Sequence, residues 1–373
     1  MKNYRQLCLG ASLLLPCHLY AANYTVEARG DAMGEVGTVS ATYLTAPFYN
    51  PAIAAIYRRS DDLGMIAPGL GFQFSDENEL LDQIDDIADL IDRSDPGAED
   101  AVRAVDGDSF NVELGAVAAV GIPNSYLAAT LYGKVYAESF VTPRVDDSDP
   151  ANDSIVESLT FGLAEVGVSL ARYSQVLNQH MSFGVTPKVQ KVYTYSYGAS
   201  FENFDAEDII DNSTTETLLN FDAGLLWFYG PYRIGLAGKN LVGHEIDTKH
   251  STVTAGSRTW DLNYQYSLKP LFTVGAGIVS DYFTASIDYD LNEEKKFIGI
   301  DDDTQMLRAG VEFDLIRFIK LRAGYMHNMA RETDDTLTAG VGLNLLKLLE
   351  VDVAAQYTNE NSMGASVNFL ATY

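Results

Sequence analysis

The sequence predicts an all-β protein, a transmembrane antiparallel β-barrel of about fourteen strands with a short acidic helical outer loop. Three observations point there. Apolar residues alternate with polar or glycine residues in segment after segment, the connections between segments are short on one side and mostly long on the other, and aromatic residues gather at both segment ends.

The chain opens with Lys2 and Arg5, an apolar run from Leu7 to Leu15, and small residues at Ala21 and Ala22. This is a secretory signal pattern, so residues 1–21 are expected to be removed; the run is too short to persist as a spanning helix. Cys8 and Cys17 both lie inside the leader, which leaves a mature chain without disulfides, thiol chemistry or Cys-bound metal. Pro16 precedes Cys17 where a lipid-acceptor cysteine needs a small neighbour, so no lipid anchor is expected. The chain carries 25 Lys plus Arg against 52 Asp plus Glu, a net charge of −27 that becomes −29 once Lys2 and Arg5 are gone. Such a surface repels phosphate backbones, and nucleic acid is excluded as a partner. No later stretch reaches ~18 uninterrupted apolar residues, so a chain of this kind enters a membrane only as a closed barrel.

Residues 22–60, which include "EARGDAMGEVGTVSATYLTAPFYNPAIAAIY", are rich in Gly and Ala and hold neither a helical nor a strand period. The wall follows in residues 61–373. Its clearest part is the end: in "SMGASVNFLATY", Met363, Ala365, Val367, Phe369, Ala371 and Tyr373 are apolar, with Ser366, Asn368 and Thr372 between them. The same period of two runs through "LEVDVAAQY", "LTAGVGLNL", "IKLRAGY", "LRAGVEFDL" and "FTASIDYDL". Fourteen such segments are predicted, near 62–75, 108–120, 125–137, 158–172, 179–197, 218–229, 231–240, 269–279, 282–291, 303–315, 318–327, 334–346, 348–357 and 361–373.

Short turns fall at "IPNS", "YSQVLN", "YGP", "SDY", "IR" and "K", with longer loops between. Trp227, Tyr229, Tyr232, Tyr282 and Tyr373 sit beside short turns, and Tyr289, Tyr325 and Tyr357 at the opposite ends, which gives two aromatic bands at two water interfaces. A secreted β-sandwich also alternates, but it does not account for the strand number, the loop lengths and the terminal aromatic together. In "ENELLDQIDDIADLIDR", Leu80, Ile84, Ile87 and Ile91 share one helical face, so this loop is expected as a helix over the outer mouth. The acidic loops "DDSDPANDS", "FENFDAEDIIDNS" and "GIDDDT" are expected to be solvated, or bridged to divalent cations and lipopolysaccharide.

Gly30, Asp31, Ala32 and Gly34, followed by Tyr49, Asn50, Pro51 and Ala52, resemble the N-terminal segment of the FadL-like outer-membrane family, which imports hydrophobic compounds. "ARGDAMGEVG…APFYNPA", "GLAGKNL" at Gly235–Leu241 and "LRAGVEF…IKLRAGY" resemble the barrel-type TraF-like conjugative-transfer proteins over nearly the whole chain. The thioredoxin-like protein that shares the TraF name does not fit, since the mature chain lacks a Cys pair. The FadL-like resemblance implies that the opening segment folds into the lumen as a hatch whose contacts the wall supplies. Glycines then permit close approach, Pro51 stiffens a turn, and Asn50 satisfies buried backbone groups. A mobile leader is the alternative, and "YLTAPFYNPAIAAIY" is too apolar to be left in water.

Several wall residues are candidates for function. A hairpin turning at Ile316 and Arg317 sets Asp314 opposite Lys320 and Glu312 opposite Arg322, with Glu350 and Asp352 two strands on. These inward charges are expected as a salt-bridged lattice between wall and hatch, with gating as the alternative. Phase slips at Pro68 and Gly69, and at Ala164 and Glu165, where the outward set changes from Leu159, Phe161 and Leu163 to Val166, Val168 and Leu170, are expected as bulges. The resemblance implies that a kinked strand gives cargo a sideways exit into lipid; bulges that merely shape the barrel remain equally open. Phe369 and Tyr373 resemble the terminal signal read by the barrel-insertion machinery. His180, His244, His250 and His327 are scattered, and Gly-x-Ser-x-Gly is absent; a meeting of His327 with Asp303 at the rim is the one arrangement to check. No enzyme, cofactor or metal is expected. Two functions stand: a passive plugged channel for hydrophobic small molecules, or a non-transporting envelope component that accompanies conjugation apparatus proteins.

Overall fold

The computed structural model describes residues 26–58, 63–76, 78–204, 213–300, 303–331, 334–345 and 348–372. The expected leader, the turn at Lys347 and Tyr373 lie outside them.

Fourteen strands close into one barrel in which every neighbour is antiparallel. In chain order they are β1 (Gly64–Asp76), β2 (Phe110–Ile122), β3 (Ala128–Arg144), β4 (Ile155–Val176), β5 (Gln179–Ser200), β6 (Ser213–Tyr229) and β7 (Tyr232–Lys239). After an insertion come β12 (Leu271–Val279), β13 (Phe283–Asp290), β14 (Met306–Leu315), β15 (Ile319–Asn328), β16 (Thr336–Leu345), β17 (Leu349–Asn359) and β18 (Ser362–Thr372). β18 closes on β1, so no edge is left to pair with another chain. Each expected segment corresponds to one of these strands. Alternation works as anticipated: Leu131, Val166, Leu219, Ile234, Leu337 and Val353 stand outward and exposed, while Thr130, Ser169, Ser182, Thr186 and Asn368 face inward and are buried.

The insertion holds four strands that periodicity does not announce. β8 (His244–Asp247) pairs with β11 (Gln265–Leu268), and β9 (Ser251–Ala255) with β10 (Arg258–Leu262). This loop, rather than the acidic helix, covers the long-loop mouth. The helix forms as expected, over Leu80–Asp92, and its buried Leu80, Ile84 and Ile87 pack with Val141, Val156 and Phe201. Val141 shares the outward phase of Leu131 and Val135, and Val156 that of Val166, so the helix lies on the outer side of the β3–β4 extension.

At Pro68 and Gly69 the register of β1 slips against both neighbours, and the Ala67–Pro68 peptide is cis. At Ala164 and Glu165 there is no bulge, because β4 runs in one register against β3 and β5 from end to end. The apolar face changes sides instead. Leu159, Phe161 and Leu163 point inward and are buried, Val166 points outward, and the strand keeps its phase.

Candidate functional site

Residues 26–58 occupy the lumen at the short-turn end, and most of them are buried. The segment has a local fold of its own. Glu27 caps the four-residue helix Ala28–Asp31 by accepting from the backbone N–H groups of Arg29 and Gly30. Asn50 caps a second turn at Pro51–Ala55 by accepting from Ala52 N–H. The Tyr49 ring lies against Gly30 and Gly37, where any side chain would collide with it.

The wall supplies the remaining partners. Asn50 donates to the Thr38 carbonyl at 2.8 Å and to the Leu225 carbonyl of β6 at 3.2 Å. Ser182 of β5 donates to the Ala52 carbonyl at 2.6 Å, and Lys239 of β7 to the Phe48 carbonyl at 2.5 Å. Asp288 of β13 accepts from Gly37 and Thr38, both at 2.8 Å. Gly34 adopts a left-handed φ of +66° and donates to Thr338 of β16 at 2.9 Å. Close approach is possible because the wall presents inward glycines: Gly184 faces the Pro51 backbone, Gly310 and Gly324 face Met33, and Gly340 faces Ala32. At each of these a β-carbon would collide with the segment.

Of the six lattice residues, the structure joins five. Arg322, with no exposed side-chain surface, binds Glu312 at 2.7 Å, Asp352 at 2.6 Å and Glu350 at 3.3 Å. It reaches Asp352 because β16 between them carries Gly340 and Gly342, with no side chain in the way. Asp314 is the exception: it lies across the ladder from Lys320, but Lys320 turns to Glu350 at 2.5 Å instead. The hatch adds a member that sequence reasoning missed, Arg29, which binds Glu312 at 3.1 Å.

A second buried lattice was also missed. Lys188 binds Asp222 at 2.9 Å and Glu165 at 3.2 Å, and Tyr132 and Gln190 donate to Glu165, each at 2.7 Å. Its signal was present in the sequence as charged residues at inward positions of strands β3 to β6. Above it, Leu159, Phe161, Leu163, Val192 and Leu218 form an apolar patch on the lumen wall. The insertion closes over that patch: Tyr266 stacks on Phe161 with ring centroids 4.0 Å apart and meets Phe297 edge-on at 5.1 Å.

Beside the patch a polar vestibule descends to the hatch. Its lower part, about 260 Å³, has Glu35 as floor and Arg308, Glu113, Glu138 and Lys296 on its sides. A further 480 Å³ continues to the rim past Arg144 and Tyr264, sharing Ser109, Phe140 and Arg331 with the lower part. Burial alone would lower the Lys296 ammonium, but Glu138, at 2.5 Å, with Glu113 and Glu294 holds it above its ordinary range. Burial, and then Glu35, push the Asp31 carboxyl well above the usual carboxylate range.

Phe369 faces outward on β18. At the rim, His327 meets Asp335 at 2.6 Å, not Asp303, which binds Lys295 at 3.0 Å. The first is a hydrogen bond at the surface and the second a salt bridge, and they do not share a residue.

The sequence profile of the family described as "F plasmid transfer operon, TraF, protein" matches residues 47–290, from Pro47 of the hatch through β13. The chain belongs to this family. Among solved structures, this TraF-family barrel is similar to the toluene transporter TbuX of Ralstonia pickettii, with 12% identity, 95% of this chain and 98% of that one covered, and a TM-score of 0.56. It is similar also to the toluene transporter TodX of Pseudomonas putida, with 10% identity, 95% and 98% coverage and a TM-score of 0.50. At such identities the likeness establishes the shared barrel fold. No curated protein matches the sequence.

Proposed function

We propose that this TraF-family barrel is a plugged outer-membrane channel for hydrophobic small molecules, made with a leader at residues 1–21, a hatch at 22–60 and a wall at 61–373. One observation carries the reading: Leu159, Phe161, Leu163, Val192 and Leu218 turn apolar side chains into the lumen, where a water-filled pore is lined by polar groups. Apolar cargo would be released from water onto this patch once Tyr266 moves, while the fastened hatch denies ions a continuous path. The toluene transporters TbuX and TodX, of the same fold, support the choice of cargo class. Lipid and lipopolysaccharide surround the wall, and Phe369 with Tyr373 forms the signal for the insertion machinery.

The test is paired. Cells expressing the protein should accumulate labelled aromatic hydrocarbon or fatty acid faster than cells without it, and Phe161→Asp should abolish the difference. Deletion of residues 26–57 should convert a non-conducting barrel into one that passes ions in planar bilayers, because a wall of this strand number encloses more space than its side chains fill. Uptake that never depends on the protein would overturn the channel. The family's description as a transfer-operon protein would then favour the second reading, an envelope component of a conjugation apparatus, which neighbouring transfer genes would support.

A further inference from the structure

Between β3 and β6 the wall continues past the lipid. β4 and β5 each run for 22 residues, whereas a tilted strand crosses the hydrocarbon in ~9–11. Trp227, paired with Met181, marks the short-turn interface on β5 and β6, so the hydrocarbon ends near Lys191. The outward side chains agree: Phe183, Val185 and Val189 on β5, with Leu219 and Phe221 on β6, are apolar and exposed below that level.

Lys191 is itself outward and exposed, in a row that runs Val135, Ala164, Lys191, Thr217. Among the described residues no carboxylate pairs with it, and its ammonium stands over the Tyr193 ring at 5.0 Å. No acidic side chain takes an outward position on β3 to β6. The acidic helix packs at Val156, roughly 26 Å further along β4 than Ala164. In a chain of net charge −27 this face therefore carries a lone positive charge at the lipid boundary.

Above Lys191, Tyr193, Tyr195 and Tyr197 take three successive outward positions, flanked by Gly162 and Thr160 on β4 and by Thr215 on β6. Phe204 closes the upper end, its ring centroid 5.7 Å from that of Tyr197. With a strand tilt near ~40°, the three rings stand roughly 5, 10 and 15 Å above Lys191. A phospholipid headgroup layer adds only ~5–8 Å to the hydrocarbon, enough to reach Tyr193 alone. An aromatic belt accounts for that first ring and not for the next two.

We propose that this face docks one lipopolysaccharide molecule of the outer leaflet, Lys191 pairing with a phosphate of its lipid anchor and Tyr193 and Tyr195 holding its first sugars. An ammonium without a carboxylate partner is complementary to phosphate. A tyrosine offers an apolar ring face to the C–H side of a sugar and a hydroxyl to its edge, and Thr160, Thr215 and Thr217 add further donors and acceptors. The inference rests on the outer-membrane placement and not on any cargo; fractionation reads that placement separately.

The experiment titrates the full mature barrel in detergent, at about 0.15 M NaCl, with rough lipopolysaccharide, with lipid A lacking core sugars and with phosphatidylglycerol. Native mass spectrometry counts the molecules retained. Wild type should keep one rough lipopolysaccharide, more tightly than lipid A, and lipid A more tightly than phosphatidylglycerol. Lys191→Gln should weaken both of the first two, and Tyr195→Ser the rough lipopolysaccharide alone, by roughly fivefold each. Arg172→Gln, which removes an outward cation at the short-turn end of β4, should change nothing. Unchanged gel mobility without boiling shows that the variants fold. If wild type holds the three lipids equally, or if Lys191→Gln or Tyr195→Ser retains rough lipopolysaccharide as wild type does, the proposal is overturned and the face is a deep aromatic belt.

Discussion

Asn50→Ala isolates what a single side chain does to keep the hatch seated. Asn50 is fully buried; its carboxamide oxygen caps the Ala52 N–H at 3.0 Å and its nitrogen serves the Thr38 and Leu225 carbonyls. Loss of an N-cap costs about 0.5–2 kcal/mol, and a buried carbonyl left without its donor costs about 1–3 kcal/mol. Leu225 sits in a strand paired on both sides, so its carbonyl adds little. The sum centres on about 3 kcal/mol, a factor of roughly 100 in the ratio of seated to unseated hatch. Amide exchange of residues 26–57 in the intact barrel should accelerate by that factor, and brief conducting events should become more frequent in planar bilayers. Asn50→Ser should fall between, since a hydroxyl can cap Ala52 but is too short to reach Thr38. If Asn50→Ala exchanges like wild type while deletion of the hatch opens the pore, the anchor argument fails, and seating depends on the glycine-mediated contacts instead.

Gly184→Val should unseat the hatch more severely than Asn50→Ala, because the new side chain would collide with the Pro51 backbone; exchange and conductance read both variants on one scale. Arg322→Met leaves Glu312, Glu350 and Asp352 without their shared guanidinium, and should destabilise the barrel by about 3–5 kcal/mol, seen as a lower temperature for loss of the compact gel form. Arg322→Lys should rescue only partly, since one ammonium cannot reproduce the fork that meets three carboxylates. Burial raises the carboxyls of Glu27, Asp31 and Glu35, so the seated hatch binds more protons than the free segment. Its stability is then greatest below the ordinary carboxylate range and is lost as pH rises through the raised values. Once the intrinsic base-catalysed rise in amide exchange is divided out, opening of the hatch should become easier as pH rises above the ordinary carboxylate range, and a profile flat after that correction would contradict the assignment.

The sequence by itself determined the wall. Lipid accepts only apolar side chains and leaves no backbone group unpaired, so alternation, strand length and turn chemistry are written residue by residue. The pairing of Glu312 with Arg322 was legible for the same reason, because a hairpin turning at Ile316 and Arg317 fixes its register. Only the tertiary structure decided where the ladder ceases to govern contacts. Lys320 abandons Asp314 for Glu350, and Arg322 crosses β16 to Asp352, because Gly340 and Gly342 remove the side chains that would stand between. Likewise, Leu159, Phe161 and Leu163 read as an outward set followed by a slip, whereas the strand keeps its phase and turns them inward. Periodicity records which side of a strand is apolar and cannot tell a lipid outside from a folded loop inside. That loop, with Tyr266 on Phe161, lies more than a hundred residues further along the chain, and only closure of the barrel brings the two together.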